Sequence, residues 1–402
     1  MKITPRKKLL IYKILLFVFA FFVAFMPTTV SRSREVNSRV IVEILGIDGG
    51  EEVSVTAQYV MPTETQGATG KDTVTVKGKT LCEAVESLNT ALGRRAELGH
   101  CSIVIVGSSA EPSVLGTLMT ATDVTADVYL AAAEDKASEL VGQITDFMKK
   151  TGATDADFIA YSAKQAHVAT NTLLGFLSDL GSESHSAFMP IVEMLKEEEQ
   201  GGSQGGENGG KTGENGGEES GGGKEQSGGE QDGGNGGKSE AASGMTVARL
   251  ALYGKDGRKG VLDETAARGV AWVSAPVEKG VVTADVENMK NVTGRLLKKH
   301  TRTEIKPETA TAVVKVKAYV EPNGDRFNAV NDAESDVGEK LRAGFAKEIE
   351  REIYAAYADA SAFDCDPLFI AREFYRYAPE YYRTRYSTAN ITVRCEVNVV
   401  IK

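Results

Sequence analysis

The chain is poor in the residues that most often build reactive or cross-linked sites. Among 402 residues there are four cysteines, four histidines, one tryptophan and ten prolines. Cys82, Cys101, Cys365 and Cys395 are scattered, with no C-x-x-C pair, and His100, His167, His185 and His300 are equally dispersed. That spacing writes neither a zinc-type ligand set nor a disulfide framework, although three pairings of the four thiols are formally open. Buried free thiols are the simpler expectation. No nucleophile, base and orienting group can be assembled from the motifs, so an exported hydrolase is disfavoured; no catalytic, cofactor or metal residue is expected.

Charge of one sign is also nearly missing once its location is considered. The formal net charge is -10, but the stretch from Glu197 to Glu240 holds eleven acidic and three basic residues, which leaves the remainder at about -2. A near-neutral body gives no global field for nucleic acid, so no nucleic-acid partner is expected. One local exception is RLLKKHTRTEIK, Arg295 to Lys306, a basic run suited to anionic lipid or a protein partner if it is more than a solvated face.

Glycine, in contrast, is abundant and concentrated. Residues 205–212 read GGENGGKT, which satisfies the phosphate-loop pattern G-x-x-x-x-G-K-[ST]. Such a loop needs a buried strand before it and a helix after it, to aim backbone N–H groups at phosphate. Here only Gly, Glu, Gln, Asn, Ser and Lys surround it, so no nucleotide is expected and residues 197–243 read as a flexible Gly/Glu-rich linker. About 45 such residues span about 35 to 40 Å as a random coil.

The N-terminus carries Lys2, Arg6, Lys7, Lys8 and Lys13 ahead of the apolar run ILLFVFAFFVAFM. This reads as an export signal, and because PTTVSRSRE offers no clean small-x-small cleavage site, an uncleaved anchor within residues 1–30 is favoured over a cleaved signal. Ile14, Leu15, Leu16, Phe17, Phe19, Phe21, Phe22 and Phe25 would face lipid.

Beyond the anchor, alternation and helical spacing divide the chain. NSRVIVEILGI, DGG and EVSVTAQYVMP predict a β-hairpin with one buried face, in which Val53, Val55, Ala57, Tyr59 and Met61 alternate. TVTVKG is a short strand; TLCEAVESLNTAL places Leu81, Ala84, Val85, Leu88 and Leu92 on one helical face; SIVIVG is a continuous buried strand. Residues 110–119 and 136–149 read as helices and 125–133 as a strand, so residues 33–195 are expected to form an α+β region. After the linker, residues 245–402 begin with a strand, a glycine turn, a short strand, a helical turn and a further strand carrying Trp272. GVVTADVE and TATAVVKVKAYVEP follow as strands, and ANITVRCEVNVVIK closes the chain.

The clearest helix has Val337, Leu341, Phe345, Ile349, Ile353 and Tyr357 at every fourth residue, opened by Asp336 and Glu339 as a capping box. Four-residue steps drift about 40° each on a 3.6-residue turn, so the stripe winds around the helix. A twisted sheet wrapped around it suits that pattern. The expected fold is therefore α+β and multi-domain: an N-terminal mixed α/β region and a C-terminal twisted antiparallel sheet around a long helix, joined by a disordered linker.

The order of these segments resembles the Ger(x)C spore germination proteins. The likeness is carried by SREVNSRVIVEILGID, VSVTAQYVMP, GRRAELGHCSIVIVGSSA, LALYGKDGRKGVLDETAARGVAWV, the long helix with FDCDPLFIAREFYRYAPEYYR, and ITVRCEVNVVIK. The resemblance implies a noncatalytic C subunit of a nutrient germinant receptor. It would act with polytopic A- and B-type subunits in receptor assembly and signalling, on the outer face of the inner spore membrane. The sequence departs from the family in having no cysteine before Cys82 to take a lipid, so the apolar helix would serve as anchor. An exported envelope scaffold with the same anchor and linker is the alternative.

Three residue sets invite chemistry. His100 and Cys101 could form a base and nucleophile, but neighbours in a strand point to opposite faces, and a satisfied buried histidine is expected. Asp364 and Asp366 could be paired carboxylates, but before Pro367 they read as a turn or cap. Arg372, Phe374, Tyr375, Arg376, Tyr381, Tyr382 and Arg383, with Tyr377, Arg385 and Tyr386, are residue types favoured at protein interfaces and form the candidate partner surface.

Overall fold

A computed structural model describes residues 13–21, 39–62, 69–151, 168–196, 242–274, 280–287, 289–322 and 336–402. A ten-stranded sheet runs in the order β10-β9-β8-β6-β5-β1-β2-β3, with β4 on β1 and β7 on β6. The strands are β1 (Arg39–Asp48), β2 (Val53–Pro62), β3 (Thr69–Gly78), β4 (Arg95–Glu97), β5 (Ile103–Val106), β6 (Tyr129–Ala132), β7 (Asn171–Thr172), β8 (Ala187–Lys196), β9 (Ala242–Gly254) and β10 (Gly257–Leu262). At the centre β1, β5, β6 and β8 are parallel, and an antiparallel arm extends each side, β2 and β3 beyond β1, β9 and β10 beyond β8.

The β1–β2 hairpin forms as the alternation predicts, with Asp48 opposite Ser54 and Leu45 opposite Ala57. Its burial is more extensive than one face. Val55 and Ala57 are buried, but so are Thr56 and Gln58 on the opposite side. Helices cover both faces: α1 (Leu81–Leu92) and α2 (Ser113–Ala121) pack over Val42, Leu45, Val104 and Leu130, whereas α3 (Ala137–Thr151) packs over Ile44, Ile103, Ile105 and Ala131. A central strand covered on both faces loses the polar side of its alternation, which is why SIVIVG is uninterrupted. The short helix α4 (Leu173–Gly181) adds Phe176 to the first layer, edge-on to Tyr253 at 5.3 Å.

α3 is started by a residue far away in sequence. Asp48, at the end of β1, accepts from the N–H groups of Ala137 at 2.6 Å and Ser138 at 2.9 Å. Those are orphan donors of the first helical turn, and a carboxylate there also answers the helix dipole. Gly107, after β5, leaves the room: a Cβ on it would stand 2.0 Å from Asp48 Oδ1. The GID and VGSS turns are thus two halves of one joint.

The strands on either side of the glycine-rich segment pair with each other. β8 and β9 are antiparallel, with Lys196 opposite Ala242 and Ala187 opposite Tyr253. This places residues 242–262 in the sheet built by residues 39–196, across the division expected at 197–243. The GGENGGKT string lies outside the described residues; the described elements on either side of its segment are β8 and β9.

The second sheet has the order β11-β12-β13-β14, formed by Gly280–Val286, Met289–Lys306, Thr311–Pro322 and Thr392–Ile401. Its first two pairs are antiparallel and β13–β14 is parallel, so the expected antiparallel sheet is mixed at its last pair. The long helix α6 (Asp336–Ala362) buries Leu341, Phe345, Ile349 and Ile353 against Val314, Val316, Ala318 and Val320. The ends of the predicted stripe have rotated away: Val337 is exposed, and Ala356 and Ala360 take over the buried face from Tyr357. Asp336 is the first described residue of α6 and pairs with Lys340 at 2.8 Å.

Two tyrosines of α6 serve the sheet edge instead. Tyr354 Oη accepts from the Cys395 N–H at 3.1 Å and Tyr357 Oη donates to the Ile391 carbonyl at 3.0 Å, so β14 finds hydrogen-bond partners where a further strand would lie.

Trp272 lies in a helix, α5 (Glu264–Ser274), and not in the expected strand. VAWV has strand-like composition, but Asp263 accepts from Ala266 N–H at 2.8 Å, and Ala266, Ala267, Val270 and Ala271 all reach the core from one helix. α5 crosses α6 closely at Gly269, where a Cβ would stand 2.0 Å from the Glu352 carbonyl oxygen. The crossing encloses a polar set: Glu352 is buried, Trp272 Nε1 donates to its Oε2, and Arg268 Nε lies 3.0 Å from its Oε1. Burial raises the Glu352 carboxyl to about 6, with Arg268 and the indole opposing. At the helix end, Lys299 of β12 donates to the Ala271 carbonyl and Thr301 Oγ1 to that of Trp272 at 2.7 Å. Burial lowers Lys299 to about 7.

Candidate functional site

The aromatic and arginine-rich stretch folds as α7 (Ile370–Tyr377) and α8 (Pro379–Arg385). Asp364, in the left-handed region, ends the chain's run out of α6, and Asp366 then caps α7 as a turn residue should. Asp366 Oδ1 accepts from Ile370 N–H at 3.0 Å, and Oδ2 from Ala371 N–H and Ser184 Oγ, both at 2.8 Å. The Asp366 N–H donates to Ser186 Oγ at 2.8 Å. Burial raises this carboxyl to about 6 against those hydrogen bonds. A carboxylate whose oxygens are taken by backbone donors is a joint between α7 and the turn before β8, and the structure does not bring Asp364 to share it.

The candidate partner residues divide into two groups. Phe374 is fully buried, stacked on Tyr381 at 5.4 Å and tilted against Tyr386 at 5.3 Å. It belongs to the core and cannot present a contact surface, a correction to its place in the candidate set. Tyr381 and Tyr382 are half-buried, and Tyr382 Oη donates to the Glu183 carbonyl at 3.3 Å. Arg372 is also engaged: its guanidinium lies 4.1 Å from the Phe369 ring centroid and 3.6 Å from Asp179 Oδ1. Facing outward are Tyr375, Arg376, Tyr377 and Arg383, with Tyr377 66% exposed. The break at Ala378 sorts them: it sets α8 against α7 so that Tyr381 stacks on the buried Phe374 while Tyr375 and Tyr382 meet edge-on beside them.

Beside α7 opens a cleft of about 870 Å³. Its walls are Arg372, Glu373 and Tyr377 of α7, the Thr301 to Lys306 end of β12, and the end of α5. Among the described residues β12 has a strand neighbour on the β11 side only up to Leu296, so its far half lines the cleft with an edge. Sequence patterning could not show this, since the helix and strand meet only through the tertiary fold. The cleft is polar and mixed in charge, with Arg302, Lys306 and Arg372 set against Glu304 and Glu373.

The remaining sequence candidates stand apart. Cys101 is buried, donates to the Ile103 carbonyl at 3.1 Å, and has its thiol raised to about 12 by burial. His100 is exposed at the end of a 3-10 turn, which corrects the expectation of a buried histidine; the turn places it outside β5. All four cysteines are free. Among the described residues no group of three His, Cys, Asp or Glu side chains could hold a metal ion.

In the N-terminal apolar run residues 13–21 are helical, and Ile14, Leu15, Leu16, Phe17, Phe19 and Phe21 are 55–74% exposed. Phe22 and Phe25 lie outside the described residues. No helix among the described residues is long and apolar enough to cross a membrane.

Comparison with known proteins assigns both parts of the chain. Residues 32–194 match the family described as spore germination protein N-terminal domain, and residues 248–402 match spore germination B3/GerAC like, C-terminal. No curated protein matches the sequence. Among solved structures, the crystal structure of the GerBC protein is similar at 12% identity and a TM-score of 0.48, covering 89% of this chain and 96% of that one.

Proposed function

Because this chain belongs to the Ger(x)C family of spore germination proteins, we propose that it is the C-type subunit of a nutrient germinant receptor, noncatalytic and held at the membrane by its N-terminal apolar segment. The observation that carries the reading is the match of both family domains, in order, over residues 32–194 and 248–402. The open apolar side chains of residues 14–21 support the anchor, since a helix with large hydrophobics on all sides is at home in lipid.

In this reading the subunit contributes surfaces and not chemistry. Tyr375, Arg376, Tyr377 and Arg383 form the partner-facing patch, resting on the buried Phe374 cluster, with the adjoining cleft as the groove beside it. Exposed Tyr and Arg on a rigid support are the residue types that carry binding energy at interfaces. Polytopic A- and B-type subunits are the proposed partners, on the outer face of the inner spore membrane.

Deletion of the gene in its source organism tests the function: nutrient-triggered germination should fail while growth is normal. Normal germination with an altered vegetative envelope would instead support an envelope scaffold. Charge reversal of Arg376 and Arg383 tests the surface, and complexes that still assemble with both reversed would place the contact elsewhere.

A further inference from the structure

The basic run on β12 acquires a definite shape in the sheet. Buried and exposed residues alternate, so Lys299, Thr301 and Thr303 turn inward while Lys298, His300 and Arg302 turn out. Register extends each row across the sheet: Lys298 is opposite Tyr319 and then Val400; His300 is opposite Lys317 and then Asn398; Arg302 is opposite Lys315 and then Glu396. The other face of the same sheet, with Val314, Val316, Ala318 and Val320, is consumed by the core. A shallow hollow of about 590 Å³ opens on the outer face, lined in part by His300, Arg302, Lys317 and Asn398.

Charges on this face are not evenly compensated. Lys315 is held by Glu304 at 2.8 Å and Glu396 at 3.5 Å, Arg302 by Glu304 at 3.6 Å, and Arg295 by Glu321. Around Tyr319 the pattern differs. Lys317 and Lys402 place their ammonium groups 5.3 and 5.2 Å from its ring centroid, the His300 ring is 6.4 Å away, and Lys298 is its cross-strand neighbour. None of these three lysines forms an ion pair among the described residues. Glu350 of α6 borders the hollow beside Cys395 and is the further acid at its rim.

We propose that this outer face, centred on Tyr319 with Lys298, Lys317 and Lys402, docks on an anionic lipid surface and so orients the C-terminal domain against the bilayer. The inference rests on the membrane-anchored reading above. Three cations around one tyrosine suit lipid phosphate: the ammonium groups are drawn to a negative surface, and tyrosine sits well at headgroup level, with an apolar ring and a polar tip. Three strands about 4.8 Å apart and a few residues long give a footprint of a few headgroups. An acidic peptide presents charge in a line; the grid spreads its cations over an area, which favours a surface as the occupant.

The test uses the full chain in vesicles, with a spin label at Asn398→Cys on the exposed face in a Cys82→Ser background. Cys101 and Cys365 are buried, and the half-exposed Cys395 is replaced by serine as well, so the added thiol is the reactive one. Nickel-chelating lipids report proximity to the headgroups. Relaxation enhancement in vesicles with one third phosphatidylserine, weak in phosphatidylcholine and lost at high salt, is expected. Each cation should be worth about a fivefold factor in apposition, so Lys298→Glu with Lys317→Glu should reduce it at least 25-fold with an unchanged circular dichroism melt. A chain that floats with both vesicle types while its label stays remote from both overturns the docking face and leaves the anchor intact. A chain that floats with neither overturns both. Protection of the label by polyglutamate or inorganic phosphate, without proximity to lipid, would overturn the lipid assignment in favour of an acidic protein or a free anion.

Discussion

Two joints hold helices in this molecule, and they use carboxylates in opposite ways. At the start of α3, Asp48 accepts from two backbone N–H groups, which have no intrahelical partner and lose nothing by donating to it. Where α5 crosses α6, Glu352 is enclosed with Arg268 and Trp272, and its charge is answered by side chains that must themselves be held in place. The first arrangement is cheap to make and modest to lose. The second carries a desolvation cost that becomes visible once a partner is removed.

The largest effect expected is from Gly269→Val. Its Cβ would fall 2.0 Å from a main-chain oxygen, which no rotamer change relieves, so the helices must part and the core around Trp272 opens. The loss should reach at least about 3 kcal/mol, beyond ordinary overpacking, read as a lowered urea midpoint or failure of the protein to fold.

Next is Arg268→Met, which leaves Glu352 buried without its cation and should cost about 3–5 kcal/mol at pH 8. Glu352 has a raised folded pKa, so its protonated form adds stability fully present below the unfolded value of about 4.5 and lost as pH rises through about 6. The penalty of Arg268→Met should therefore shrink at pH 5. Equal penalties at pH 5 and pH 8 would show that packing and not charge dominates the crossing.

Asp48→Ala sharpens the contrast from the other side. It deletes only a cap, and should cost about 1–2 kcal/mol, spread over α3 and visible as faster amide exchange at Ala137 and Ser138. A loss as large as that of Arg268→Met would erase the distinction between the two joints.

Smallest is excision of residues 201–237. Since β8 and β9 pair directly, shortening their connection lowers loop-closure entropy, and a gain of about 1 kcal/mol is expected in thermal unfolding. A link between two independent domains would give no change, so even this modest shift discriminates.

What could be read from sequence followed the range of the interaction. The β1–β2 hairpin and the α1 and α6 stripes were legible because neighbours within a few residues decide them. Trp272 was misassigned because α5 is helical by its cap at Asp263 and by its seat on α6, 80 residues onward. The pairing of β8 with β9 was hidden behind the glycine-rich segment, whose composition signals flexibility and is silent on whether its ends meet. At the candidate site, the right residue types stood out as a group. Their division into a buried Phe374 cluster and an outward Tyr375, Arg376, Tyr377 and Arg383 patch needed the fold.

The tyrosines of α6 at β14 have a consequence for how copies of the protein treat one another. An uncovered edge strand is a template, and identical chains that meet edge to edge can continue the ladder indefinitely. Tyr354 and Tyr357 occupy backbone groups that such growth requires, so the helix that covers the sheet's core face also fixes its width. Removing both hydroxyls would turn a finished sheet into one that can recruit its own kind, a hazard wherever many copies are crowded together.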